Sequence, residues 1–256
     1  MSDYVYGVIP TRDAAAWPGA DGIGGPVRAI VSGGLAALVS DIPDDARPGT
    51  RQDLEAHRRV LGEAIEFGTV IPMRFGMVML DDDVVREQLL DRHGDELRHL
   101  LTDVDGHVQM TVRAFYAEDA LLAAATAGDE EIQRLNAMIG GRSELETRDE
   151  RIALGQRVAE AMDERRARDQ EALLERLRPL ARDIHVDPPG GERVALNAQL
   201  LVRRDVRAAL DAEIERLAAA LQGYLGLRYI GPLPPYSFTA LALESEESAH
   251  AHTGER

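Results

Sequence analysis

The chain has 256 residues, with 45 acidic residues against 29 basic ones and a net charge of −16. This charge argues against general binding to nucleic-acid phosphates or to anionic membranes. The sequence contains neither cysteine nor lysine, which excludes disulfides, thiolate metal sites, Walker-A phosphate loops and Schiff-base chemistry. It shows no secretory signal and no apolar run of about 20 residues, so we expect a soluble intracellular protein.

The first elements are strands. Residues 3–10 have the apolar and aromatic content of a half-buried strand. Residues 27–42 form two apolar runs around Ser32-Gly33-Gly34, which predicts a hairpin because glycine adopts the positive φ angles of a tight turn. The glycines between these elements lack the spacing of a dinucleotide or phosphate loop, so we interpret residues 11–26 as a connection.

A long amphipathic helix follows. Thr50 with Asp53 predicts its start, and Gly68 predicts an exit in a left-handed conformation. Helical spacing places six residues on one face, namely Leu54, His57, Leu61, Ala64, Ile65 and Gly68. The next residues are extended until Pro72, which cannot donate a ladder hydrogen bond. The segment therefore predicts a helix that leads into a proline-interrupted strand.

His57 is the most reactive side chain in this segment. Its place on the apolar face predicts a core histidine that is hydrogen-bonded to backbone. In the alternative interpretation it belongs to a polar cluster with Arg58 and Arg74. Elsewhere the sequence contains no HExxH zinc motif and no GxSxG nucleophile motif. We therefore assign no catalytic, cofactor-binding or metal-binding residue.

The second half of the chain predicts another mixed unit. Three aspartates at residues 81–83 start a second helix that runs to about Leu101, without the remaining ligands of a calcium loop. Beyond a boundary near residues 102–106 we predict several elements in chain order: a strand at 107–116, short helices, a long helical stretch starting at Ser143 with Glu146, a strand at 193–203, a helix at 205–222, and extended segments at 224–229 and 236–243. The thin apolar pattern of the long stretch predicts either a solvated arm or a pair of helices with a break.

These elements predict an α+β fold of two domains. The first is an α+β domain at residues 1–104. The second, at residues 105–243, has an element order that suits a ferredoxin-like sheet with helices on one face, and a long helical insertion at about residues 118–180. Residues 244–256 form a polar tail, for which we expect disorder.

Three segments carry a family resemblance. HRRVLGEAIEFGTVIPMRFGMVM at residues 57–79, ALNAQLLVRRD at residues 195–205 and GPLPPYSF at residues 231–238 resemble the gas vesicle protein GvpF/GvpL family. Their order and separation match from Tyr4 to about Leu243. The chain departs from the family at Leu233, where tryptophan is usual.

The resemblance implies a protein of gas vesicle formation with an unusual α+β first domain and a modified ferredoxin-like second domain. Family members associate with the vesicle and bind its major shell protein, a small and very hydrophobic subunit. No catalytic activity or cofactor is attached to the family. We therefore expect the shell protein and other gas vesicle accessory proteins as partners, and a location on the vesicle, or in the cytoplasm before and during assembly.

Two sequence segments are candidates for partner contact. The first is the strand edge at Pro72, which could accept an added strand, and the second is the proline-rich segment near the end of the chain. Their candidate residues are Pro72, Met73, Arg74, Phe75, Pro234, Pro235 and Tyr236. A groove beside the long helix is another possible contact, and Pro72 alternatively protects a sheet edge against aggregation. The competing function is a small-molecule-binding module or enzyme that uses His57, Arg58 and Arg74.

Overall fold

The computed structural model describes residues 1–239 and shows an α+β protein built on two antiparallel sheets. The segments at residues 240–243 and 244–256, for which we predicted a strand end and a polar tail, lie outside the described residues. Within residues 1–239, no helix combines the length and the apolar character that crossing a bilayer requires.

The first sheet contains five strands: β1 (Ser2–Pro10), β2 (Arg28–Ser32), β3 (Leu35–Ile42), β4 (Ile71–Pro72) and β5 (Val78–Met79). Their order is β2-β3-β1-β4, and β5 also pairs with β1. The predicted first strand and hairpin are confirmed. Gly33 and Gly34 make the turn with φ angles of 53° and 84°. A short helix, α1 (Thr11–Ala14), occupies part of the predicted connection.

Helices cover both faces of this sheet. One face packs against α2 (Arg51–Phe67), and the other packs against a chain of helices. These are α3 (Asp82–Val84), a π-helix (Val85–Asp91) and α4 (Gly94–Asp103), where we predicted one continuous helix. The wide turn of the π-helix places Val85 next to Leu89 and Leu90, and all three are buried.

The start of α2 agrees with the sequence. The Thr50 hydroxyl accepts a hydrogen bond from the Asp53 N–H at 3.2 Å, and the Asp53 carboxylate accepts from the Thr50 N–H at 2.9 Å. These two bonds form a capping box. The backbone bonds from Thr50 and Gly49 lower the pKa of Asp53.

A Thr50→Ala variant should lose about 1 kcal/mol of unfolding free energy, because the Asp53 N–H loses its acceptor. Urea denaturation measures this loss. Thr126→Ala is a matched control, since that hydroxyl bonds only to Leu122 O within its own helix, and its cost should be below about 0.5 kcal/mol. Equal losses in the two variants would contradict the capping role of Thr50.

The predicted left-handed exit at Gly68 is wrong. Gly68 is extended, with a φ of −179°. Its small size serves packing instead, because a Cβ atom there would collide with the Asp13 carboxylate. That carboxylate accepts a hydrogen bond from the Thr69 N–H at 3.2 Å. Contact with α1, which is distant in sequence, therefore explains this glycine.

Within residues 1–239 the second sheet contains four strands: β6 (His107–Tyr116), β7 (Asp183–Val186), β8 (Val194–Arg203) and β9 (Leu225–Leu233). Their order is β7-β8-β6-β9. The sequence predicts β6 and β8 closely but misses β7. The predicted extended segment from residue 236 is wrong for its described part, because Tyr236 and Phe238 donate to the carbonyls of Pro234 and Pro235 and so form turns.

The helices of this half are α5 (Ala120–Thr126), α6 (Glu130–Ile139), α7 (Arg148–Leu177) and α8 (Arg207–Ala220). The helix α7 is unbroken for 30 residues and begins at Arg148, after the predicted start at Ser143. Ser143 does bond to Glu146, but within the preceding turn. One part of α7 packs on α5 and α6 and its last turns pack on the sheet cluster, which explains its thin apolar pattern.

One hydrophobic cluster connects the two sheets. It combines α2 and the β1 face that carries Tyr4 and Tyr6 with the β6 face that carries Val108 and Met110. The two halves of the chain therefore share buried surface, and the resembling segments lie around this junction.

Candidate functional site

The three resembling segments meet at the junction between the sheets. Arg204, at the end of β8, donates through Nη2 to the backbone carbonyls of Ile65 and Gly68 in and after α2. Tyr236, after β9, brings its hydroxyl to 3.5 Å from Nε2 of His57 in α2. Segments separated by more than 100 residues thus form one structural unit.

His57 lies at the centre of an aromatic cage and is only 1% exposed. The Tyr6 ring stacks on it, and the rings of Tyr4 and Phe75 approach edge-on, each with its centroid 5.7 Å from that of His57. The Tyr4 hydroxyl accepts from the Gly76 N–H at 3.0 Å. Its own proton is therefore available to His57 Nδ1, 2.9 Å away. This leaves the imidazole proton on Nε2, the atom nearest Tyr236.

Burial keeps this histidine neutral. It lowers the pKa of His57 from 6.5 to about 4, and a backbone hydrogen bond with Met73 opposes the shift only in part. Burial likewise raises the pKa of Tyr4. A neutral imidazole buried in an aromatic cage confirms the predicted core histidine. Its shortest hydrogen bond is to the Tyr4 hydroxyl rather than to backbone.

The alternative polar cluster does not form. Arg58 and Arg74 are exposed, whereas His57 is buried, and no hydrogen bond among residues 1–239 joins either arginine to it. Two surface depressions are formed by the described residues, one lined by Phe115 and Gly226 among others and one by Leu100 and Ile184 among others. Neither depression is lined by His57, Arg58 or Arg74.

The structure separates the candidate contact residues into two groups. Pro72, Met73, Pro234 and Pro235 are buried within the chain, and Pro72 pairs with Gly7 of β1. Arg74, Phe75 and Tyr236 reach the surface, and Tyr236 is 41% exposed. The prolines therefore support the surface from beneath. We call Arg74, Phe75 and Tyr236 the junction surface.

A charged cluster beside Tyr4, on the face of β1 that points away from the His57 cage, was not identified from the sequence. Arg28 Nη2 lies 2.7 Å from a carboxylate oxygen of each of Asp3, Asp41 and Asp82. Asp3 is 2% exposed, and its Oδ2 has no hydrogen-bond partner in the described part of the chain. Burial, reinforced by the neighbouring aspartates and opposed by Arg28, raises the pKa of Asp3 to about 6. Only the central position of β1 in its sheet reveals this burial.

Comparisons with known proteins find the same family that the three sequence segments resemble. The family model described as gas vesicle synthesis protein GvpL/GvpF matches residues 3–240. Gas vesicle protein F of Streptomyces sp. (strain CB03234) is 40% identical, across 93% of this chain and 99% of that protein. Gas vesicle protein L of the same strain is 30% identical, across 96% of this chain and 95% of that protein.

A solved structure shows the same fold. The crystal structure of GvpF from Anabaena sp. PCC7120 superposes on this chain with a TM-score of 0.83 at 24% sequence identity. The superposition includes 94% of this chain and 99% of the Anabaena chain. The sequence match and the fold thus extend over nearly the whole chain. The chain belongs to the gas vesicle synthesis protein GvpL/GvpF family.

Proposed function

We propose that this chain is a non-enzymatic assembly protein that binds the hydrophobic major shell protein of the gas vesicle and holds or nucleates it. The family match over residues 3–240 carries the proposal, since family membership gives the chain a role in gas vesicle assembly. Binding of the shell protein is the added step. The greater identity to a protein F than to a protein L of one strain supports an F-type role.

The proposed mechanism is physical. Shell subunits expose apolar surface until they assemble, and a partner that covers this surface prevents their aggregation. A net charge of −16 keeps such a complex dispersed. The junction surface supports this role because Phe75 and Tyr236 offer aromatic area at the surface to an apolar partner. Phe75 also packs on His57, so a contact there rests on a rigid base.

Charge also limits where the protein sits. Placing many charges against gas removes their hydration, which is very costly. We therefore propose a location at wet ribs or ends of the vesicle, or a presence in small amounts. The partners would include other gas vesicle accessory proteins, and neither nucleic acid nor membrane.

The two-domain division belongs to the same proposal. Residues 1–104 would form the first domain, and residues 105–243 a modified ferredoxin-like domain with a helical insertion at about 118–180. The order β-α-β-β-α-β, with β6 and β8 central in the second sheet, supports this topology. Asp105 at the boundary accepts hydrogen bonds from Arg12 and Thr69, at 3.1 Å and 2.7 Å, which supports a fixed connection.

We also propose that the chain catalyses no reaction. The support for this is that His57 is neutral and caged, while Arg58 and Arg74 lie apart from it at the surface. A general base works best with a pKa near the operating pH and with access to substrate. The arrangement of these three residues therefore favours the interaction protein over the small-molecule-binding module or enzyme.

Co-expression with the shell subunit tests the proposal. We expect this chain to raise the soluble fraction of the subunit and to co-purify with it. Tyr236→Glu should weaken co-purification at least about fivefold, because a carboxylate on the junction surface would lose its hydration on contact. Leu145→Glu is the matched control, since Leu145 is 92% exposed elsewhere on the chain.

The control should bind as the unchanged chain does. Failure of the unchanged chain to bind the subunit would contradict the proposed function. Equal losses in Tyr236→Glu and Leu145→Glu would contradict the assignment to the junction surface.

A further inference from the structure

Two arginines lie directly opposite one another in the second sheet. Arg113 of β6 pairs with Arg228 of β9, and both side chains are exposed. Like charges in directly opposing positions destabilise a strand pair. Neither arginine has a carboxylate within ion-pair distance among residues 1–239. In a chain of net charge −16 this is a local concentration of uncompensated positive charge.

The neighbours of this pair hold it in place without neutralising it. Arg113 donates through Nε to Asn197 Oδ1 at 2.8 Å, and Arg228 lies 5.9 Å from the centroid of the Phe115 ring. The carboxylate of Asp187 accepts from the other end of Asn197, at 3.0 Å. The neutral amide of Asn197 therefore lies between the Asp187 carboxylate and Arg113. Both guanidinium groups thus keep donors available to a partner.

Beside the arginines runs a free strand edge. In the part of the chain that the structure describes, the strand β9 is outermost in its sheet and pairs only with β6. The bond from the Ala117 N–H to Tyr224 O sets the alternation of the ladder, so the backbone groups of Leu227 and Tyr229 point away from β6. Within residues 1–239 these groups have no backbone partner. The edge ends at Pro232, which has no N–H.

Exposed apolar area completes the surface. Ile230 is 42% exposed and lies two residues beyond Arg228, on the same face of β9. A strand added to this edge would pair with the free backbone groups of β9. Its side chains would lie near the two arginines and near the apolar side chain of Ile230. This combination suits an extended segment with acidic residues on one face.

We propose that the β9 edge and the Arg113–Arg228 pair form a docking site for an extended acidic segment of a partner protein. The segment adds a strand to β9 through Leu227 and Tyr229 and places carboxylates against the two arginines. The charge of the chain favours a short acidic segment over a nucleic acid, because a polyanion longer than the site is repelled by the acidic surface around it. This site is separate from the junction surface and does not depend on shell-protein binding.

Fluorescence anisotropy tests the charge requirement. The probe is a fluorescein-labelled decapeptide of alternating valine and glutamate, titrated with the full chain at low salt. We expect binding that weakens as salt is raised and that is absent for the valine–glutamine peptide. Arg113→Glu with Arg228→Glu should weaken binding at least about tenfold.

The matched control is Arg51→Glu with Arg86→Glu. Arg51 is exposed and Arg86 is half-buried, and their carboxylate partners are Glu55 and Asp83. The double change alters the net charge equally. Its affinity should stay within about twofold of the unchanged chain. An equal loss in both double variants, or equal binding of the valine–glutamine peptide, would overturn the charge requirement.

Hydrogen exchange tests the strand edge. The amides of Leu227 and Tyr229 should exchange more slowly once the acidic peptide is bound, because each gains an acceptor. Unchanged exchange at both amides under saturating peptide would overturn strand addition. Binding of a single-stranded decathymidylate as tightly as the peptide would overturn the choice of a protein segment as occupant.

Discussion

A Gly7→Ala variant is expected to lose about 3 kcal/mol of unfolding free energy, as severe overpacking does in a buried site. A Cβ atom at Gly7 would lie 2.7 Å from the carbonyl oxygen of Ile71, and 3.0 Å and 3.1 Å from side-chain carbons of Leu61 and Val70. The nearest atom is backbone, and β1 pairs with β4 at this point. The strand β4 must therefore move away from β1.

Urea denaturation of Gly7→Ala and Gly155→Ala measures the effect. Gly155 lies in α7 with open space around its Cα, so alanine there should stabilise the helix by up to about 1 kcal/mol. If Gly7→Ala proved as stable as the original chain, the close approach of β1 and β4 would be wrong. Because β4 leads directly to Arg74 and Phe75, the same change should also disturb the junction surface.

The second large effect concerns pH. The stability contributions of His57 and Asp3 should change in opposite directions between about pH 6.5 and pH 4. His57 has a pKa of about 4 when folded and 6.5 otherwise. As the pH falls through this window the unfolded chain binds a proton that the folded chain refuses, so stability is lost. A shift of this size corresponds to roughly 3 kcal/mol.

Asp3 acts in the opposite sense. Its pKa is about 6 when folded and 3.8 otherwise. Below pH 6 the folded chain binds a proton that the unfolded chain refuses until pH 3.8, so stability is gained as the pH falls. The gain is again roughly 3 kcal/mol at most. The two contributions therefore largely cancel in the original chain.

Single substitutions separate them. Relative to the original chain, Asp3→Asn should lose up to about 3 kcal/mol of unfolding free energy between pH 7 and pH 4, because the loss due to His57 is no longer offset. His57→Gln should show a relative gain over the same range. Urea denaturation at several pH values measures both differences. The surface carboxylates titrate equally in the variant and in the original chain, so their contributions cancel in the difference. Parallel stability curves for Asp3→Asn and the original chain would contradict the burial of Asp3.

Local signals in the sequence were enough for several elements. The glycines at residues 33 and 34 predicted the hairpin, because only a tight turn joins two apolar runs at that spacing. The pair Thr50 and Asp53 predicted the start of α2, because a capping box depends on four consecutive residues. The alternation in residues 107–116 predicted β6. In each case the determining contacts are short-range.

Elements that depend on distant contacts were missed or misplaced. The strand β7 has four residues, too few for a clear alternation. Gly68 lies where a glycine often ends a helix, but the collision that requires it comes from Asp13. The turns at Tyr236 and Phe238 follow from prolines in a segment whose aromatic content favours a strand. The π-helical turn at residues 85–91 packs Val85, Leu89 and Leu90 against the first sheet, and local sequence does not show this contact.

The candidate site shows the same division. Helical spacing placed His57 correctly on the buried face of α2, but no periodicity connects it with Tyr236, 179 residues away. The family resemblance identified both segments, and only the fold shows that they touch. Four of the seven candidate contact residues are buried within the chain and do not reach the surface. They are Pro72, Met73, Pro234 and Pro235.

The central proposal is that the junction surface contacts the shell subunit. A photo-crosslinking amino acid placed at Tyr236, with a second chain carrying it at Leu145, measures this directly during co-expression with the subunit. Both positions are exposed, so both can react with a bound partner. We predict a crosslink to the shell subunit from position 236 and none from position 145. No crosslink from position 236, or equal crosslinks from both positions, would contradict the proposal.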